Sequence, residues 1–421
     1  MNRVNELEVD GNMENSEDAA YPLEGVRILE LGIFHAGPGG MAILGDLGAE
    51  VVKIEERVKG DPIRRRSRFG RTCFNLPGDR NLFFEGANRN KKSITIDLNK
   101  EQGREIVYRL IPQFDIFVTN LRQKTVEKMG MTYPILSGLN HRLIYASVSA
   151  FGHKGPYRDS GGFDFQGQGR SGIMFSMGES EMPPLLLQFG LIDQATAIIV
   201  SQGVLTALFM RERTGKGQEI KTSILGAAVN LAYFNFLNAL WLKQDVLRHN
   251  RMDTDPYRNY YRCGDGKWIV MSLQPDGGDW ILLCEAMNYR ELEVDKRFNT
   301  QEKRLNKYSR ELISLLQEIF LTKTRDEWVK IFKEKDLIAS PVNRQTELEN
   351  DPQIVANYLD EINHPDLGKV KIPGFPIHFS NAQARTRKAA PRLGEDTEEV
   401  LKVFGKYSEQ EIEKFKREEI I

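Results

Sequence analysis

The chain has 421 residues, 58 basic and 59 acidic, for a formal net charge of −1, and 40% of it is hydrophobic. That balance excludes the broadly basic surface that binds nucleic acid or anionic membranes non-specifically, while the length allows two or three cores. Cys73, Cys263 and Cys284 are odd in number and far apart, so they outline no disulfide framework and no metal knuckle. The expectation is a cytoplasmic protein without metal, membrane or nucleic-acid partner.

Residues 1–22 are polar and acidic, lack the basic start and apolar run of a secretory signal, and read as a disordered extension. Val26–Leu31 is then a short apolar strand, followed by a loop over 33–40, a helix through Leu47 and a second strand at Glu50–Glu55. This is a βαβ unit. Ser93–Leu98, Phe114–Thr119 and Leu143–Val148 supply further strands, with a helix over Lys100–Ile111, so the pattern is an α/β sheet of Rossmann type. Ala195–Arg213 reads as a buried helix rich in small residues, followed by a strand at Glu219–Ile224 and an apolar helix at Gly226–Leu242. No spanning helix is expected. The composition turns polar near 245. A strand at Lys267–Leu273 and amphipathic helices at Glu302–Phe320 and Arg325–Lys335 follow, then a proline-punctuated return ending in a helix at Glu409–Glu418. The domains expected are 23–244, 245–340 and a return segment, 341–421, completing the first.

One acid stands out. In Gly190-Leu191-Ile192-Asp193-Gln194-Ala195, Asp193 sits where a loop turns into a helix. There it serves as an N-cap or as an anionic nucleophile favoured by the helix dipole. Around it lie Gly161-Gly162-Phe163-Asp164 and Arg213-Thr214-Gly215-Lys216-Gly217-Gln218. Upstream come His35-Ala36-Gly37-Pro38, the strand Gly48–Glu55, Gly60-Asp61-Pro62 and Asn90-Lys91-Lys92-Ser93, and downstream Ala390-Pro391-Arg392-Leu393-Gly394. This order of motifs, over nearly everything after Tyr21, resembles the family III CoA-transferases, the CaiB/BaiF family.

The resemblance implies a large Rossmann-like domain built from both chain ends and a small central α+β domain. The chain would be ring-shaped, in an interlocked homodimer, with a heteromer as the alternative. It implies CoA transfer from an acyl-CoA to a carboxylic acid through an aspartyl-acyl anhydride and an aspartyl-CoA thioester, with Asp193 as nucleophile. Coenzyme A thioester is then a substrate and no cofactor is bound. By family position His35 and Ala36 approach the pantetheine or thioester, and Lys91 faces a phosphate. Asn120, Leu121, Lys128 and Met129 wrap the CoA arm. Where the family often has an arginine after its Lys-Ile-Glu strand this chain has Glu56, with Arg57 as the substitute. The cluster Arg64, Arg65, Arg66 and Arg68 is a phosphate contact or a solvated face. Related racemases carry Gly-His-Asp where this chain reads Gly162-Phe163-Asp164, which disfavours racemase or isomerase chemistry. Phe163 is left as a substrate contact, and Asp164 as either a polar contact to the acyl group or a loop carboxylate capping nearby amides. Gly277 and Gly278 belong to a closing lid or to a simple turn. The segments at Thr119–Lys124 and Lys402–Lys414 are similar to the 2-hydroxy-acid branch. Phe34, Phe163, Phe165, Met174, Phe189 and Leu191 are the apolar candidates for an aryl or branched acyl pocket.

Overall fold

Strand β1 (Arg27–Leu31) lies inside a parallel sheet, with four of its five residues buried. The computed structural model describes residues 20–275 and 278–421, so nearly all of the expected N-terminal extension lies outside the described residues. After β1 come α1 (Pro38–Asp46), β2 (Glu50–Glu55), α2 (Leu82–Asn88), β3 (Lys91–Thr95) and α3 (Glu101–Leu110). They are followed by β4 (Ile116–Thr119), β5 (Ile144–Ser149), α4 (Leu191–Thr214) and β6 (Glu219–Ser223).

The sheet order is β6-β5-β4-β1-β2-β3, and every neighbouring pair is parallel. Leu29 stands opposite both Val52 and Phe117. The direction of winding reverses between β1 and β4, and in such sheets the ligand crevice lies beyond the carboxyl ends of the strands at that reversal. Leu29, Val52, Ile94, Val107 and Phe117 form a core with Leu401 and Ile412 from the C-terminal helices α9 (Thr397–Val403) and α10 (Glu409–Arg417). Each such side chain contributes about 1.5–3 kcal/mol by leaving water. The β3 edge is covered by the returning chain: Ser93 N–H donates to Asp396 Oδ2 at 2.8 Å, and Asp396 N–H to Ser93 O at 2.9 Å.

Helices α1 and α4 approach so closely that a Cβ on Gly40 would lie 2.4 Å from Val200 Cγ1 and 2.9 Å from Ala197 O. At 24 residues α4 is long and apolar enough to cross a membrane by length and composition, contrary to the sequence expectation. Ile192, Ala197, Val200, Val204 and Ala207 bury one face of it, and Arg211 at its end pairs with Asp115 at 2.9 Å. Its other face carries exposed Ile198, Leu205 and Phe209.

The chain divides into two compact units. The first comprises residues up to Asp164, Gly190–Ala227 and Asp360–Ile421, and the second Phe165–Phe189 and Ala228–Leu359. These boundaries differ from 244/245 and 340/341. Arg325 holds Glu347 at 3.3 Å, which keeps the segment after 340 with the second unit. Arg248 donates to Met182 O at 2.8 Å, which ties 165–189 to it as well. The second unit contains α5 (Tyr233–Leu242), an antiparallel sheet β7 (Arg258–Arg262), β8 (Trp268–Ser272) and β9 (Ala339–Val342), and helices α6 (Asp279–Met287), α7 (Ser309–Phe320) and α8 (Arg325–Glu334). Its core is aromatic: Tyr261 stacks on Phe320 at 4.7 Å, and Trp328 Nε1–H donates to Phe320 O at 2.9 Å.

Candidate active site

Helix α4 begins from two consecutive left-handed residues, Phe189 (φ +63°) and Gly190 (φ +68°). A phenylalanine in that region is strained, and such strain gathers at functional sites. Gly190 has no side chain to cap the helix, so the cap comes from elsewhere. Asp164 Oδ2 accepts the N–H groups of Ile192 at 2.6 Å and Asp193 at 3.0 Å. Asp193, in the first turn, is therefore not the cap. Its Oδ1 is buried and has no hydrogen-bond partner among the described residues. Burial, and then the charge of Asp164, push the Asp193 carboxyl up to about 7.

Asp193 stands in the wall of a cavity of about 380 Å³ at the carboxyl ends of β1, β4 and β5, at the reversal point of the sheet. Of the expected site residues, Ala36, Asn120, Leu121 and Phe163 line it too. Asn120 clamps the loop after β1: its Oδ1 accepts Ile33 N–H at 2.8 Å and its Nδ2 donates to Ile33 O at 2.7 Å. The next residue, Phe34 (φ +59°), meets the exposed ring of Phe163 edge-on at 5.5 Å. His35 Nε2 bonds Gln194 Oε1 at 2.6 Å, fixing the loop to the first turn of α4. Burial pulls the His35 imidazole down to about 4, so it is neutral at pH 7. Asp164 is absent from the lining. Its Oδ2 caps the helix, the amide-capping alternative for this residue.

A second cavity, of about 330 Å³, opens at the ends of β1, β2 and β3 and shares Ile33 and Leu121 with the first. Ile54, Ile96, Leu98 and Met129 give it apolar walls, and Lys59 and Arg65 bring the cations. Four expected CoA contacts, His35, Lys91, Arg57 and Lys128, line neither cavity. Lys91 is wholly internal: its Nζ donates to Glu30 Oε2 at 2.6 Å, Pro38 O at 2.8 Å and Asn88 Oδ1 at 3.0 Å. Lys53 completes this buried network, at 2.9 Å from Glu30 and 3.0 Å from Asp61. Two lysines on one glutamate would be awkward without Asp61, which also accepts Phe34 N–H at 3.2 Å. The network therefore supports the loop after β1 and offers no charge to a ligand. Arg57 pairs with Glu419 at 3.4 Å, and Lys128 points into solvent. Within the arginine cluster Arg64 is held by Glu55 at 2.7 and 2.8 Å.

Gly277 lies outside the described residues. Gly278 is exposed directly before α6, where Asp279 Oδ2 accepts Gln274 N–H at 2.7 Å. Phe165, Met174 and Phe189 belong to the second unit, and Leu191 is exposed. The sequence reading overlooked Thr119, Arg122, Ser147 and Ser149 as lining residues. They sit at or just beyond strand ends, so the reversal rule for parallel sheets points to them.

A buried carboxylate in a crevice at the reversal of a doubly wound sheet marks an α/β protein with a ligand site at the ends of its strands. Residues 23–397 match the family model for CoA-transferase family III. The chain is 32% identical to a (R)-2-hydroxy-4-methylpentanoate CoA-transferase of Clostridioides difficile, over 95% of this chain and 99% of that protein. It is also 32% identical to a succinyl-CoA–L-malate CoA-transferase alpha subunit of Chloroflexus aurantiacus, over 95% and 92%. A CaiB/BaiF family protein of Brucella suis has the same fold, with a TM-score of 0.82 and 30% identity over 91% of this chain and 100% of that one. The chain belongs to CoA-transferase family III and is an acyl-CoA:carboxylate CoA-transferase.

Proposed function

We propose that Asp193 is the nucleophile of this transfer. The observation that carries the proposal is its unpartnered, buried Oδ1 on the first turn of α4, in the wall of the crevice. A carboxylate there attacks the donor thioester carbon; the C–S bond breaks, CoA leaves as thiolate, and an aspartyl-acyl anhydride remains. The thiolate then attacks the aspartyl carbonyl, releasing the donor acid and leaving an aspartyl-CoA thioester. The acceptor carboxylate expels CoA from that thioester to form a second anhydride. CoA takes the acceptor acyl group from it and Asp193 is restored.

Coenzyme A is placed with its nucleotide end in the second cavity, where Lys59 and Arg65 face its phosphates. Its pantetheine arm crosses Ile33 and Leu121 toward Asp193. The shared lining of the two cavities supports this path. The acceptor is a 2-hydroxy acid with a branched or aromatic chain, set against Phe34 and Phe163, in keeping with the substrate of the Clostridioides relative. The chain acts as a homodimer, interlocked as the resemblance implies, since α5 alone leaves Phe234 81% and Trp241 75% exposed. The alpha-subunit relative makes a heteromer the alternative. The solution mass of the purified chain separates the two.

The test is intact mass spectrometry after incubation with a panel of acyl-CoAs and hydroxylamine. A hydroxamate mapped to Asp193, and missing in Asp193→Ala, is expected. Turnover with no adduct at Asp193 would sink the assignment.

A further inference from the structure

We infer that the second unit binds a small monovalent anion, of halide size, among Arg304, Trp280 and Tyr257. All three residues are more than nine-tenths buried. Arg304 Nε and Trp280 Nε1 lack a hydrogen-bond partner among the described residues, and Tyr257 has only the Arg304 side chain beside it, which can donate to its oxygen but cannot accept its O–H. Ring contacts bring them together. The guanidinium carbon lies 4.9 Å from the Trp280 ring centre and 5.9 Å from that of Tyr257, and the two rings meet edge to face at 6.2 Å. Arg304 donates through Nη1 to Phe298 O at 2.7 Å, yet no carboxylate comes within 4.0 Å of it among the described residues. A buried guanidinium ordinarily takes such a partner.

The two aromatic faces attract the positive charge but accept little from its N–H groups. What the cluster lacks is an acceptor. Arginine and indole N–H groups can only donate, and a tyrosine hydroxyl donates once. A water would bring two hydrogens of its own to a site where only Tyr257 O could accept, and it would leave the charge uncompensated. A halide accepts from all three groups and neutralises Arg304. Its binding would tie the short helical turn Lys303–Lys307 to the first turn of α6 and to the segment entering β7. This is separate from the crevice at Asp193.

The experiment measures the melting temperature of the full chain at constant ionic strength while sodium gluconate is replaced by sodium bromide. A saturable rise of about 1–3 °C is expected in the wild type. Trp280→Phe keeps the ring contacts but lacks the N–H, so its rise should be smaller, and Arg304→Gln should show none. A crystal grown in bromide should show an anomalous peak between the three side chains. Melting temperatures that ignore the identity of the anion, with an ordinary water at that position, overturn the proposal.

Discussion

Asp164 and Asp193 are joined by one hydrogen bond, Asp193 N–H to Asp164 Oδ2 at 3.0 Å, so one carboxylate caps the helix that presents the other. The same geometry sets a charge beside Asp193 and, after burial, raises its pKa. Asp164→Asn keeps a carbonyl oxygen for the cap and removes the charge. The acid limb of its kcat/KM profile should therefore move below that of the wild type, with little loss of stability. Asp164→Ala loses both capping bonds and should cost about 1–2 kcal/mol in denaturant unfolding. An acid limb unmoved in Asp164→Asn would mean that burial alone sets the carboxyl.

Wild-type activity should rise with pH through about 7, because the attacking form of Asp193 is the carboxylate. Stability should run the other way. The unfolded aspartate ionises near 3.9, so between about 4 and 7 the folded chain holds a proton that the unfolded chain has lost. This contribution is complete below 4 and vanishes as pH rises through 7. Asp193→Asn has no such dependence. Its melting temperature should exceed that of the wild type most above pH 7, with the gap narrowing toward pH 4. A gap independent of pH would contradict the raised carboxyl.

Lys91 gives a sharper contrast. With a wholly buried ammonium bonded to Glu30, Pro38 and Asn88, it is a support and not a phosphate ligand. Lys91→Met leaves Glu30 with only Lys53 and should destabilise the chain by about 3–5 kcal/mol. Urea unfolding reads this directly. A raised KM for acyl-CoA with unchanged stability would instead restore the phosphate role.

Lys91 shows what the sequence could and could not convey. The strand at Glu50–Glu55 was legible because a parallel strand buried on both faces reads as a nearly continuous run between turns. Strand β7 was not. Its inward positions are Asn259 and Tyr261, and the asparagine hides the alternation. Strand β9 contains Pro341, which only an edge strand tolerates. At the site, Asp193 and Asn120 were legible from motif order, but no local pattern tells an exposed lysine from one buried by Glu30, 61 residues away. Asp164 likewise caps a helix that starts 27 residues later, a partnership only the fold creates.

Lys59 and Arg65 carry the last prediction. Both line the cavity at the ends of β2 and β3, and neither side chain has an ion pair among the described residues. If they hold the phosphates of coenzyme A, Lys59→Ala and Arg65→Ala should each raise KM for acyl-CoA about 10-fold, near the net value of one charge-assisted hydrogen bond. Because the contact is to charge, wild-type KM should climb with salt, and each variant should show a shallower climb. Since both groups act far from the reacting carbon, kcat and the acid limb set by Asp193 should not change. Steady-state kinetics with acyl-CoA and with the same acyl group on a pantetheine thioester, which lacks the nucleotide, separate the readings. The truncated thioester should be indifferent to both substitutions, and an equal loss on both substrates would place these cations elsewhere in the transfer.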